Sequence, residues 1–144
     1  MDGLGFKVYA GCLQVEGPNA QELKKKSSEL LHLVQMDVTK QDQVDAGLEL
    51  VVGTLNGRSN KLMMYPAPSK TSSYTHYVIA TELWAVVNNA GIAYGTEMEW
   101  CSIDHLKRVL DINAVGPARV TKTFLPLLRR ARGRIVIVAS SAGN

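Results

Sequence analysis

The sequence predicts an α/β fold built on a parallel, doubly wound sheet, and three observations predict it. An apolar run of strand length, Leu83-Trp84-Ala85-Val86-Val87, stops abruptly at Asn88-Asn89-Ala90-Gly91. A second run, Ile135-Val136-Ile137-Val138-Ala139, ends in Ser140-Ser141-Ala142-Gly143. Between the strand-like runs lie helical patterns of roughly 10–15 residues, the spacing of strand–helix–strand units. A buried strand delivers polar side chains and a glycine to the carboxyl edge of a sheet in this way, and open α/β folds bind ligands at that edge.

Taken in order, residues 6–13 read as a strand. Gly17-Pro18-Asn19 is a turn and helix start, with proline where a missing N–H does no harm, and 21–31 suits a helix. Residues 31–37 form a second strand. Thr39 is placed to cap a helix over 41–55, where Val44, Leu48, Val51, Val52 and Leu55 fall at helical spacing. The third strand is 83–88. A long helix follows from about Ser102, with Leu106, Val109, Leu110, Ala114, Val120 and Phe124 on one broad apolar face. Its Lys122, Arg129, Arg130 and Arg132 gather toward the carboxyl end, where positive charge complements the helix dipole. Gly133 ends it, and 134–139 is the last strand. The two most continuous apolar strands are expected to be central, buried on both faces.

Residues 57–81 fit none of these elements. The segment has no period, two prolines and a Ser/Thr/Tyr-rich centre. Connections in such folds run ~2–6 residues, and a structureless one beyond ~15 is unusual. It joins a helix to the start of a strand, so it belongs to the edge opposite the ligand. An inserted or disordered segment within a single partial domain, 1–144, is therefore expected, rather than a lid.

Composition sets the outer limits. At 144 residues there is room for one domain with a sizeable core. An apolar fraction of 46% and a charged fraction of 20% sit near the soluble average and argue against disorder. No run approaches the ~20 apolar residues of a membrane span, and Asp2, Gly3 and Gly5 interrupt any leader-like start, so a cytoplasmic chain is expected. Cys12 and Cys101 are too few for a disulfide framework and lack metal-ligand spacing, so both read as reduced thiols in or near the core. His32, His76 and His105 share no spacing suited to a metal or a triad. A net charge of +3 implies no acidic partner, and the basic runs 24–26 and 129–132 lack the interleaved aromatics of a nucleic-acid surface.

In order along the chain, Asp37-Val38-Thr39, Asn88-Asn89-Ala90-Gly91, Asn113-x-x-Gly116 and the strand ending at Ser140 resemble the central block of the short-chain dehydrogenase/reductase family. Gly5-Phe6-Lys7-Val8-Tyr9-Ala10-Gly11 and Val120-Thr121-Lys122-Thr123-Phe124-Leu125-Pro126-Leu127-Leu128 point to its 17-beta-hydroxysteroid and retinol dehydrogenase branch. The resemblance implies a Rossmann-like sheet, here truncated at both ends, because the matched motifs lie between that family's glycine-rich loop and its Tyr-x-x-x-Lys pair. The expectation is a fragment of a nicotinamide-dependent oxidoreductase, inactive by itself, that acts as a whole enzyme on a steroid or retinoid alcohol or ketone. The alternative is a non-catalytic module that associates with a full-length subunit.

Residue by residue, the resemblance implies that Asp37 accepts a hydrogen bond from an adenine amino group beside the Val38 backbone. From the residues alone, Asp37 is equally well read as a helix-entry aspartate. Asn88, Ala90 and Gly91 would lie under the cofactor ribose, where glycine permits close approach, or simply tie neighbouring strands together. Asn113, poorly suited to a helix interior, would bend its helix and help hold a water near the catalytic lysine; from the residues alone it reads as a surface residue. That helix would also pair with a second subunit in a homo-oligomer. Ser140, in preference to Ser141, would donate its hydroxyl to the developing oxyanion of a ketone; from the residues alone it reads as a cap at the strand end. The cofactor would be NAD or NADP. NAD is favoured by analogy with oxidative relatives, since Gly11-Cys12-Leu13 offers neither an acid nor a base. Family members are often bound to the endoplasmic-reticulum membrane.

Overall fold

The computed structural model describes residues 2–55, 83–93 and 98–140. The expectation for 57–81 lies outside the described residues. Strand β1 (Val8–Cys12) pairs in parallel with β2 (Leu31–Gln35), from Val8 opposite Leu31 to Cys12 opposite Gln35. Helix α1 (Pro18–Lys26) makes the crossover between them. Proline at its first position has no N–H to lose, and three lysines complement the dipole in its last turn. The helix is shorter than the expected 21–31. Ser27 is extended and the Ser28 hydroxyl accepts from the Leu30 backbone, which turns the chain into β2.

Helix α2 (Gln41–Leu55) follows β2. Thr39 does not cap it: its hydroxyl donates to Asp37, while the Lys40 carbonyl accepts the first helical bond, from Val44. Strand β3 (Ala85–Asn88) pairs in parallel with β4 (Arg134–Ile137), from Ala85 opposite Arg134 to Asn88 opposite Ile137. The crossover is helical throughout but has three parts: α3 (Ile103–Leu110), a π-helical turn (Asp111–Val115) and α4 (Gly116–Ala131). The Ser102 hydroxyl accepts from the His105 backbone and caps α3.

The expected doubly wound sheet is thus present as two parallel ladders, β1–β2 and β3–β4, which share one core. Val44 and Val51 of α2 meet Val120, Phe124 and Leu128 of α4, and Tyr9, Met36, Val38, Leu83 and Val86 pack around them. At the amino ends of β1 and β3, the Phe6 and Trp84 rings stand 5.5 Å apart.

Three expectations need correction. The apolar face drawn from Leu106 to Phe124 is not one face: Val120 and Phe124 are buried, whereas Leu110 and Ala114 are exposed. A π turn inserts an extra residue and rotates everything after it, so a single period does not span both helices. Strand β4 is not buried on both faces. Ile137 is 61% exposed and Ile135 and Val136 nearly half so, because the helical cover supplied by the described residues comes from α4 on one side. The residue that ends α4 in left-handed geometry is Arg132 (φ 51°), not Gly133. The Gly133 N–H bonds back to the Leu128 carbonyl and that of Arg132 to Arg129, the Schellman pattern.

His32 of β2 packs against β1. Its ring stacks on Tyr9 at 5.2 Å, and the Tyr9 hydroxyl shares a 2.6 Å bond with Thr54. Burial, then the charges of Lys7 and Lys24, hold its pKa below the usual 6.5. The unfolded chain therefore takes up this proton first, and stability falls as pH drops below about 6.5. Urea unfolding followed from pH 7.5 to 5.5, well above the carboxylate range, should show this slope. His32→Gln should flatten it; an unchanged slope would rule out His32 as its source.

Candidate functional site

The site is built where β2 and β3 end. Just past β2, Asp37 turns the chain into α2: its Oδ1 accepts from the Thr39 backbone N–H at 2.9 Å and from the Thr39 hydroxyl at 2.7 Å. Its own N–H donates to Gln43 Oε1 at 2.8 Å. The two Thr39 bonds, the backbone one first, outweigh partial burial and pull the Asp37 pKa below its usual value, with Lys40 and Arg108 adding to the effect. The carboxylate is ionised at neutral pH, and with Oδ1 engaged, Oδ2 remains as an acceptor.

Val38 meets the π turn. The Gly116 Cα lies so close that a Cβ there would stand 2.8 Å from Val38 Cγ2. The Arg119 guanidinium donates to the Val38 carbonyl at 2.5 Å and lies 3.4 Å from the Asp111 carboxylate. One turn of chain away, Asn113 clasps the loop after β3: its Nδ2 donates to the Ile92 carbonyl at 2.8 Å and its Oδ1 accepts the Ile92 N–H at 2.9 Å. An asparagine amide matches a backbone peptide donor for acceptor, so this reciprocal pair fixes the loop as a ladder rung would. π turns recur at functional sites because the extra residue re-aims its side chains.

Asn88 is 7% exposed and donates through Nδ2 to the Thr121 hydroxyl of α4 at 3.1 Å, while its carbonyl accepts the Val138 N–H at 2.9 Å. The Asn88 backbone thus ties β3 to the end of β4, and its side chain ties β3 to α4. Ala90 and Gly91 are exposed beyond it. A Cβ on Gly91 would meet Asn113 only at an ordinary 3.5 Å, so internal packing does not demand glycine there. Ser140 is exposed in the segment that leaves β4 at the same edge; Ser141 and Gly143 lie outside the described residues.

The geometry thus gathers Asp37, Val38, Gly91 and Asn113 around one helical turn, with Asn88 beneath the loop and Ser140 along the edge. Thr39, Arg119 and Thr121 also belong here, and sequence reasoning gave them no site role. The spacing carried a signal: Gly116 and Arg119 lie three residues apart, on one helix face.

Fold and site together define a class: an α/β domain whose parallel strands end in an acidic acceptor, an Asn-Asn-Ala-Gly turn and a hydroxyl. Residues 70–144, just over half of the chain, match the short chain dehydrogenase family, and the chain belongs to it. Over 145 residues it is 37% identical to 17-beta-hydroxysteroid dehydrogenase type 2 of Homo sapiens, covering 100% of this chain and 32% of that protein. Mitochondrial D-beta-hydroxybutyrate dehydrogenase of Bos taurus is 36% identical over 97% of this chain and 35% of its own length. Retinol dehydrogenase 7 of Mus musculus is 34% identical over 100% and 38%. The chain therefore spans about a third of the length of these relatives. Among solved structures, NADPH-bound carbonyl reductase from chicken fatty liver superposes with a TM-score of 0.73 at 25% identity, over 94% of this chain and 49% of that one.

Among the described residues, no helix is long and apolar enough to cross a membrane, and no group of three or more His, Cys, Asp or Glu side chains is arranged to hold a metal. Both cysteines are free and half-buried.

Proposed function

We propose that this chain supplies the cofactor-facing centre of a nicotinamide-dependent oxidoreductase that interconverts an alcohol and a ketone on a steroid or retinoid. One observation carries the reading most: Arg119 bonds the Val38 carbonyl and lies beside Asp111, while Asn113 of the same Asp111–Val115 turn clasps Ile92, just past the Asn88–Gly91 loop. The residues fit a dinucleotide. An ionised Asp37 keeps one oxygen to accept an adenine amino group, and the exposed Ala90–Gly91 backbone leaves room for a ribose. The group would supply hydride transfer when bound. Ser140 would donate its hydroxyl to the substrate oxygen, and Asn113 would hold the β3 loop in place beneath the reacting groups. The segment after β1, Leu13-Gln14-Val15-Glu16, carries no cation to meet a 2′-phosphate, which favours NAD over NADP.

Titration with NADH tests this. A hydrogen bond to a charged partner is worth about 1.5–3 kcal/mol, so Asp37→Ala should weaken NADH binding at least ~10-fold, and NADPH should bind the unsubstituted chain less well than NADH. If Asp37→Ala binds NADH as tightly as the unsubstituted chain, or if the latter does not bind it, the reading is wrong.

A second reading has its own support. Helix α3 buries none of its residues, and Ile103 and Leu110 are more than half exposed. Such a face suits association with a full-length dehydrogenase subunit. Failure to co-purify with one would count against it.

A further inference from the structure

The geometry points to Arg119 as a positioning residue for the adenine end of the site, a latch that sets where the Asp37 carboxylate stands. The inference rests on the nucleotide reading proposed above.

The turn that carries Asp37 is held internally. Thr39 grips the carboxylate, and the Lys40 N–H closes back on the Asp37 carbonyl at 2.9 Å. Those bonds shape the turn without deciding where it sits relative to the rest of the edge. Contacts with the other half of the fold decide that: Val38 packs against the core shared with α4, and two contacts at the amino end of α4 act on it directly. Gly116 admits Val38 closely, since a Cβ would lie 2.8 Å from Val38 Cγ2 and 3.2 Å from its Cβ. Arg119 then fastens the Val38 carbonyl from the same helix face. The glycine contact is steric and only limits approach; the guanidinium adds a directed attraction to the packing of Val38 on the core.

Arginine suits this position chemically. Its planar fork presents several donors at once and stays charged at every working pH. One nitrogen takes the Val38 carbonyl in a charge-assisted bond, and another lies beside Asp111, in the turn that carries Asn113. The Arg119 side chain is only 18% exposed, against 44% for Asp111, so water competes weakly for it. A single side chain thereby joins the acceptor of one half of the site to the turn that holds the other half. A lysine could make one of these contacts but not hold both in plane.

The bland account is an ion pair that steadies the α3–α4 junction. The two accounts differ in what they disturb. Arg119→Met should weaken ADP binding ~10-fold and leave nicotinamide mononucleotide within twofold; Arg119→Lys should recover part of the ADP affinity. Hydrogen exchange on the nucleotide-free chain should show the Thr39 and Lys40 amides exchanging several-fold faster in Arg119→Met, with the β2 amides unchanged. Equal weakening of both nucleotides, or unchanged exchange at Thr39 and Lys40, would overturn the latch. If the unsubstituted chain binds neither nucleotide, the functional reading falls and the adenine role with it. The exchange data then still report whether Arg119 fixes the turn.

Discussion

Phe124→Ala is expected to lower the folding free energy of this chain by about 3–5 kcal/mol, the range for emptying a buried aromatic site. Phe124 is 6% exposed and stands in the cluster where α2 and α4 meet, beside Leu128 at 2% and Val44 at 0%. Its ring holds together two ladders that share this core rather than a common set of strand bonds. The loss combines missing transfer energy with a cavity that helices tied to two separate ladders cannot easily close. Urea unfolding of the whole chain measures it, with Leu110→Ala as the comparison. Leu110 is 53% exposed, and its truncation should stay within roughly 0.5 kcal/mol. Equal losses in the two variants would mean that the π turn does not rotate α4 relative to α3 as described.

Gly133→Ala is the second large effect, and its origin is different. A Cβ at Gly133 would lie 2.5 Å from the Leu83 carbonyl oxygen, 3.0 Å from that of Trp84 and 2.9 Å from Leu128 Cδ2. Two of those atoms are backbone and cannot rotate away. The first rung of the β3–β4 ladder, Arg134 N–H to the Trp84 carbonyl at 2.9 Å, starts one residue later and would have to open. Overpacking of this kind costs about 1–3 kcal/mol, more where the backbone must shift. Arg132→Gly is the informative partner: it relieves a left-handed residue that bears a side chain, and should stabilise by up to roughly 1 kcal/mol. Thermal unfolding of both variants checks the pair. If Gly133→Ala were neutral, the close approach of α4's end to the start of β3 would be in error.

These two positions also show where sequence reasoning stopped. Gly133 was legible as the end of a helix, but the residue with left-handed geometry is Arg132, and glycine is needed next door because a strand passes there. Helical periodicity found Val120 and Phe124 correctly and then carried Leu110 and Ala114 onto the same face. It assumed 3.6 residues per turn across a segment where the chain takes one extra. Thr39 illustrates a competition between local bonds: its hydroxyl had a helix terminus and a carboxylate two residues back within reach, and the carboxylate won.

The sequence by itself determined the strand and helix order, the parallel direction of the strands, the motifs that place the chain in the short-chain dehydrogenase family, and the residues along its carboxyl edge. All of these depend on residue type and on spacing within one element or between neighbours. Only the tertiary structure decided that Asn113 acts as a backbone clasp on Ile92, and that Arg119 reaches Val38 across 81 residues of chain. Those outcomes depend on which elements come to lie side by side. Packing sets that, and neither the period of one segment nor the character of one residue contains it.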